Sequence, residues 1–441
     1  MSILNLLPII ITLFGAYLLI KLRFFFVLHP IYTAKRLCGI MKDKSSRKSL
    51  ALALAGTLGV GNIVGVAYGI SVGGAGCIFW ILVSSIFASC IKYAESLISA
   101  DSRNGGHGGM MYVITASFGK VGRVFGSVYA VLCVMLSLSM GSALQAQSAL
   151  ESAEKSMKIS PAIFSLFFVV FVGIVIIGGA KKIENATAII IPLATIIYIL
   201  ICIAVILLNF EKIPSVICEI VKGAFSIKSA AGGISAFLFS NAVKEGYARG
   251  LLSNEAGAGT SAMAQTRSQS ITPVQTGLLG MCEVLFDTVI LCTLTGVTVL
   301  VSDVDFSSVS SGMTIVLNSV SSALGKPAQM FIFLLVTAFA YSTVVCWYYY
   351  GCECLNFLFG KEKSKIYATL FILITFFGAF IPSGTIIIFT DYVLFFMSVL
   401  TIIVLLKNSE RIFRLSEQYG LLKKSKHSDV RKKGVTRRSN L

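Results

Sequence analysis

GTLGVGNIVG, residues 56–65, sets four glycines and Asn62 into ten positions inside an otherwise apolar stretch. The flanks, SLALALA and VAYGISVG, read as membrane helix. Glycine in a helix interior costs about 1 kcal/mol against alanine, so the pattern predicts a crossing built to come apart halfway. A second segment, AGGISAFLFSNAVKEGYARGLLSNEAGAGTSAMAQTR at 231–267, repeats the theme. Its apolar run, 234–239, is too short to cross, and Lys244, Glu245, Arg249, Asn254 and Glu255 follow before Gly257 and Gly259. Charges and non-helical backbone at membrane depth are tolerated where they face protein or a water-filled cavity.

Composition agrees with a polytopic membrane protein: 56% of residues are hydrophobic, 13% are charged, and the mean hydropathy is +0.86. The net charge of +17 is concentrated, with eight Lys/Arg from Lys21 to Lys48 and eleven from Lys407 to Arg438. That distribution fits cytoplasmic loops under the positive-inside rule and attraction to anionic lipid headgroups. The tail KKSKHSDVRKKGVTRR has no aromatics for base stacking, so a solvated juxtamembrane tail is expected and no nucleic-acid partner. The eleven cysteines lie almost entirely in apolar segments, and the three histidines supply no zinc-ligand spacing. Gly59 and Gly61 have a superficial GxGxxG likeness without the strand-then-helix setting of a nucleotide fold, and no phosphate-binding GxxxxGKS/T motif occurs. No nucleophile–base pair stands out, so the expectation is not an enzyme and no cofactor.

Hydropathy gives spans near 3–22, 49–72, 75–98, 120–150, 160–179, 185–208, an interrupted one within 231–268, then 274–301, 328–351, 366–382 and 386–406. Eleven crossings, N-terminus out and C-terminus in, put the basic excess on one side. The first segment is followed at once by basic residues and reads as a retained helix rather than a cleaved signal. With it set aside, the interrupted segments are crossings one and six of ten. That is the signature of a five-plus-five inverted repeat with its site at the midplane. The expected organisation is an N-terminal helix and basic loop over 1–48, a first five-helix repeat over 49–208, an extracellular connection at 209–230, a second repeat over 231–406, and a basic tail over 407–441. Glycines in GxxxG spacing, such as Gly61 and Gly65, also serve helix packing; two breaks at matching positions favour a transport site.

ALAGTLGVGNIVGVA, GGAGCIFWILV, KYAESL with DSR and GGMMYVI, RGLLSNEAGAG, TPVQTGLLGMCEVLFDT and AFAYSTVVCWYYYG occur in that order across about 50–360. In these pieces the chain resembles the alanine/glycine:cation symporter family. The resemblance implies an all-α, LeuT-like fold in the cell membrane and uptake of a small neutral amino acid, alanine or glycine, driven by Na⁺ or H⁺, with Na⁺ preferred. A membrane-embedded sensor that binds without transport, or a carrier of a larger amino acid, is the alternative. The chain has Leu252 where the family usually carries phenylalanine, which hints at a roomier pocket, and GSALQAQS where the family tends to read GNMVQANS.

Three walls of a substrate site are expected. Thr57, Gly59, Gly61 and Asn62 in the first break offer backbone groups and an amide to a zwitterion, Asn62 alternatively being an interhelical tie. Leu252, Ser253 and Asn254 form the second; Glu255 there serves a proton, an ion or, preferably, a structural pair with Arg249. The third is the helix of Ser342 and Thr343, with Trp347 one turn on from Thr343; Gln145, on the third core helix and aligned with the family glutamine, is a further candidate for the substrate carboxylate. By resemblance, the carbonyl of Gly56 with Ser342 and Thr343 forms the sodium site. Either hydroxyl could instead bond its own helix. Trp80 reads as an interfacial anchor.

Overall fold

The computed structural model describes residues 6–104, 106–157, 159–225, 241–302, 304, 311–360 and 364–422, and all regular elements among them are helical. In chain order these are α1 (Leu6–Lys21), α2 (Phe25–Leu28), α3 (Pro30–Ile40), α4 (Lys44–Thr57), α5 (Val64–Gly73), α6 (Gly76–Asp101), α7 (Met110–Leu138), α8 (Leu144–Met157), α9 (Pro161–Ile176) and α10 (Gly179–Leu208). There follow α11 (Ile213–Ala224), α12 (Asn241–Asn254), α13 (Ala262–Gln265), α14 (Pro273–Val284), α15 (Thr293–Leu300), α16 (Gly312–Leu324), α17 (Pro327–Phe359), α18 (Ser364–Gly378), α19 (Ser383–Lys407) and α20 (Ser409–Gln418).

Helix starts follow local chemistry. Asp43 caps α4 by accepting from the Ser46 amide at 2.7 Å. Thr272 and Gln275 form a reciprocal capping box at α14, with Pro273 in the first turn. Two π-helical stretches, Ser139–Ala143 between α7 and α8 and Leu285–Cys292 between α14 and α15, re-aim side chains within otherwise continuous helices.

By length and apolarity six helical runs can cross a bilayer, or seven counting the α4–α5 pair, which bends by 65° at its break. Eleven were expected from hydropathy. The difference lies partly in α1, α9 and α18, at 16, 16 and 15 residues, short of the about 20 that span a hydrocarbon core. The rest lies in the second interrupted segment, whose apolar run 234–239 falls outside the described residues. The connection expected at 209–230 contains α11, and the stretch between the expected spans 274–301 and 328–351 contains α16. On α9 and α10, Ile163, Leu166, Phe167, Val170, Ile189, Leu193, Ile196 and Leu200 are all exposed. A helical stripe of large apolar side chains facing outward is a surface made for lipid.

At the centre α6 packs along α14 and α12, while α17 packs against α7, α8, α10 and α4. The first broken helix is thus gripped at both ends, α4 by α10 and α17, α5 by α12 and α16. The basic run expected to be a solvated tail, 423–438, lies outside the described residues, but a helix precedes it. α20 docks through Tyr93–Ser416 at 2.6 Å, Arg411–Asp101 at 2.5 Å and Tyr17–Ser409 at 3.0 Å, because its Ile412 and Ser416 face is buried while its charges stay outside.

Candidate substrate and cation site

The first break is a real one. After Thr57 the backbone becomes extended at Gly59 (φ −103°, ψ −160°), makes one 3₁₀ turn over Val60–Asn62, and resumes as α5. The freed Val60 amide donates to Gln145 Oε1 at 3.1 Å. A Cβ on Gly59 would stand 2.9 Å from that oxygen and 3.1 Å from Thr343 Oγ1, so only glycine lets the three meet. A Cβ on Gly61 would meet nothing within 4 Å. The break therefore has a closed side, at Gly59, and an open side, at Gly61 and next to Asn62.

The second break follows α12. Glu255, Gly257 and Gly259 take positive φ (54°, 95° and 71°), turning the chain sharply before α13. The Asn254 side chain closes the turn, its Oδ1 accepting from the Ala256 amide at 3.0 Å. Glu255 does not pair with Arg249, contrary to expectation. Arg249 reaches one helical turn back to Glu245 at 3.0 Å, whereas Glu255, past the end of the helix, accepts from Thr260 Oγ1 at 2.5 Å.

Asp287, in the second π-helical stretch, joins the two breaks. Asn62 Nδ2 donates to its Oδ1, and Ser253 Oγ and Thr288 Oγ1 donate to its Oδ2 at 2.7 and 2.8 Å. Thr288 in turn accepts from Asn254 Nδ2 at 3.0 Å. All five side chains are buried, and among the described residues no ion pair neutralises Asp287. Asn62 Oδ1 is buried without a hydrogen-bond partner. This acid went unread in the sequence; an aspartate inside the apolar run LFDTVILC is the signal that marks it.

At the third wall Trp347 is fully buried, its Nε1 donating to Gly56 O at 3.2 Å. Its ring lies on Gly141, where a Cβ would come within 2.2 Å of Trp347 Cγ. Ser342 donates to the carbonyls of its own helix, Ala338 and Phe339, both at 2.9 Å. Its neighbour Thr343, and Thr57 across the break, each bury an oxygen without a partner. The structure thus brings together Gly59, Gln145 and Thr343 on one side, and Asn62, Ser253 and Asn254 on the other. Leu252 faces away, into a cavity of about 560 Å³ between α1, α6, α12 and α19 that Trp80, Arg249 and Asp391 also line. Trp80 is half-buried there, bonded to Ala224 O at 3.2 Å. Among the described residues no group of three or more His, Cys, Asp or Glu forms a metal cluster. The oxygens available are amide, hydroxyl, carbonyl and a single carboxylate, the kind of donors a hard cation takes.

The model of the sodium:alanine symporter family matches residues 1–433. The chain belongs to that family. Among relatives of this sodium:alanine symporter-family chain, an uncharacterized transporter of Haemophilus influenzae is 32% identical, over 96% of this chain and 95% of its own length. The sodium/alanine symporter AgcS of Methanococcus maripaludis is 29% identical over 83% of each. A probable sodium/glutamine symporter, GlnT of Bacillus subtilis, is 29% identical over 82% of this chain and 76% of its own length. Among solved structures, MhsT in complex with L-phenylalanine superposes with a TM-score of 0.60 at 16% identity, covering 80% of this chain and 87% of MhsT. A manganese transporter of Eremococcus coleocola reaches 0.55 at 12% identity, covering 86% and 78%. The family makes the chain a multi-pass membrane transporter, not an enzyme, and its helical fold is shared with these solved transporters.

Proposed function

We propose that this symporter couples inward movement of Na⁺ to uptake of a small neutral amino acid, alanine or glycine, across the cell membrane by alternating access. The observation that carries the reading is Asp287. A buried carboxylate held by three neutral donors and bonded to both broken helices calls for a mobile positive charge beside it. Asn62 Oδ1, unpartnered and next to that carboxylate, completes the pull on a cation. Na⁺ takes the carboxylate and amide oxygens there, and a second ion position uses Gly56 O, Ser342 and Thr343. Sodium fits better than a proton because several oxygens, not one, want a partner.

The substrate lies at the open side of the first break. Half-helix amides near Gly61 and the Gln145 amide receive its carboxylate; carbonyl ends near Thr57, with Ser253 and Asn254, receive its ammonium. Trp347, pinned on Gly141, limits the side chain to a small one. In this reading the chain crosses eleven times with its N-terminus outside, in two five-helix repeats over 49–208 and 231–406. Filling the cation site ties the breaks together and raises affinity for substrate, the mutual coupling that symport needs.

Uptake of labelled alanine into proteoliposomes tests this, with a Na⁺ gradient, a proton gradient or neither, and unlabelled glycine and glutamine as competitors. Accumulation driven by Na⁺ alone supports the reading. Binding without counterflow would mean a sensor, and accumulation under the proton gradient alone would remove sodium from the mechanism.

A further inference from the structure

Under the loop that follows α12 lies a second polar centre that the transport site does not use. Lys92, on α6, donates through Nζ to Ser261 Oγ at 2.7 Å and to Glu283 Oε1 at 3.0 Å. Gln265 Nε2 donates to the other oxygen of Glu283. Two more carboxyls face this pair. Glu95, three positions after Lys92, accepts the Gly257 amide on Oε1 at 2.8 Å, and Glu255 accepts from Thr260. All four ionisable side chains are fully buried.

The charges do not balance. Three carboxylates surround one ammonium, and the ammonium is already spent on Glu283. Glu95 is faced by Lys92 on its own helix, Glu283 on α14, Tyr129 on α7 and the Gly257 and Gly259 amides of the loop, while Glu255 faces the same Lys92 and Tyr129. Beside Gly257, α19 contributes Ser398 and α1 contributes Ile11, neither charged. No second cation is among these groups. Glu95 Oε2 has no hydrogen-bond partner, and neither have Glu255 Oε1 or Ser398 Oγ, the last on the other flank of Gly257. A neutral carboxyl answers both facts. Its carbonyl oxygen keeps the Gly257 amide, and the proton sits on Oε2, which as a bare anionic oxygen would stay buried and unpaired.

We propose that Glu95 is a proton-binding site, with the proton on Oε2 holding the 255–261 loop seated against α6. The proton is resident and separate from the ion at Asn62 and Asp287. Its loss places another uncompensated negative charge under the loop whose upstream end carries Ser253 and Asn254. Uptake therefore declines on the alkaline side through displacement of that loop. The proposal does not rest on which amino acid or ion is carried.

Infrared difference spectroscopy of the purified full chain in lipid, between neutral and alkaline pH, reads the proton directly without transport. The carbonyl stretch of a buried carboxylic acid is present at neutral pH, vanishes on alkalinisation, is absent in Glu95→Gln, and shifts in Glu95→Asp. Glu255→Gln and Asp287→Asn keep it. A band that survives Glu95→Gln, or is removed by Glu255→Gln instead, overturns the assignment. So does a band that disappears when Na⁺ replaces N-methylglucamine at fixed pH, since Glu95 would then be a metal-ion ligand. In proteoliposomes Glu95→Gln retains uptake but loses the alkaline decline, an effect a purely structural acceptor would not produce. An unchanged decline in that variant also overturns it.

Discussion

Asn62 and Asp287 stand 225 positions apart in the chain and are joined side chain to side chain, amide to carboxylate. Since Ser253 donates to the same carboxylate, the first break, the second break and the π-helical stretch after α14 share one acid. Movement of any of them changes the setting of the other two.

Asp287→Asn keeps the shape and removes the charge. The expected result is a loss of at least about tenfold in apparent Na⁺ affinity, equivalent to about 1.4 kcal/mol. Uptake titrated against external Na⁺ measures it, with surface expression as the control. A variant with wild-type Na⁺ dependence would move the ion elsewhere.

Gly59 and Gly61, two residues apart, separate packing from recognition. Alanine at 59 drives a methyl into Gln145 and Thr343, an overpacking of about 1–3 kcal/mol, and lowers thermal stability in detergent. Gly61→Ala meets no atom within 4 Å, so it keeps wild-type stability and raises the KM for alanine. Equal melting temperatures for the two variants would contradict the geometry.

Thr343 has a buried hydroxyl oxygen without a partner, unlike Ser342, which is bonded to its own helix. Thr343→Ala is expected to abolish stimulation of uptake by Na⁺ while Thr343→Ser preserves it. Stimulation that persists in the alanine variant removes Thr343 from the cation path.

Asp43 gives a pH prediction. The Ser46 hydroxyl and amide, then the Ser270 hydroxyl, donate to its carboxylate and hold its pKa below the usual carboxylate range. A group depressed on folding contributes stability above its unfolded pKa and loses it as pH falls through the folded value. Asp43→Ala removes an N-cap of about 0.5–2 kcal/mol. Its melting temperature should lie below wild type at neutral pH, and the gap should close under acid. A gap independent of pH would show that the carboxylate charge is not what caps α4.

The breaks were legible because glycine and charge in an apolar run violate a helix's own rules, and the violation is local. Asn62, Gln145 and Trp347 were legible for a related reason, as polar or bulky groups in expensive places. Asp287 obeys the same logic yet was passed over, since the partners that tie it to the two breaks lie 34 and 225 positions away. The Glu255 pairing went wrong from trusting proximity in sequence. Arg249 had a closer acid one helical turn behind it, and the turn after Asn254 carried Glu255 towards Thr260 instead. Helix α16 was hidden because its serines resemble a loop until the packing of Met313, Ile315 and Val316 is seen.

The docking of α20 bears on how this chain can be handled. One short amphipathic helix is fastened at once to α1, through Tyr17 and Lys21, and to α6, through Tyr93 and Asp101. A truncation after residue 422 leaves those fastenings whole; one after residue 408 strips them from two helices together. An affinity tag or fluorescent fusion therefore belongs beyond residue 422, and a library of shortened chains should tolerate cuts down to that point and fail abruptly a few residues further in.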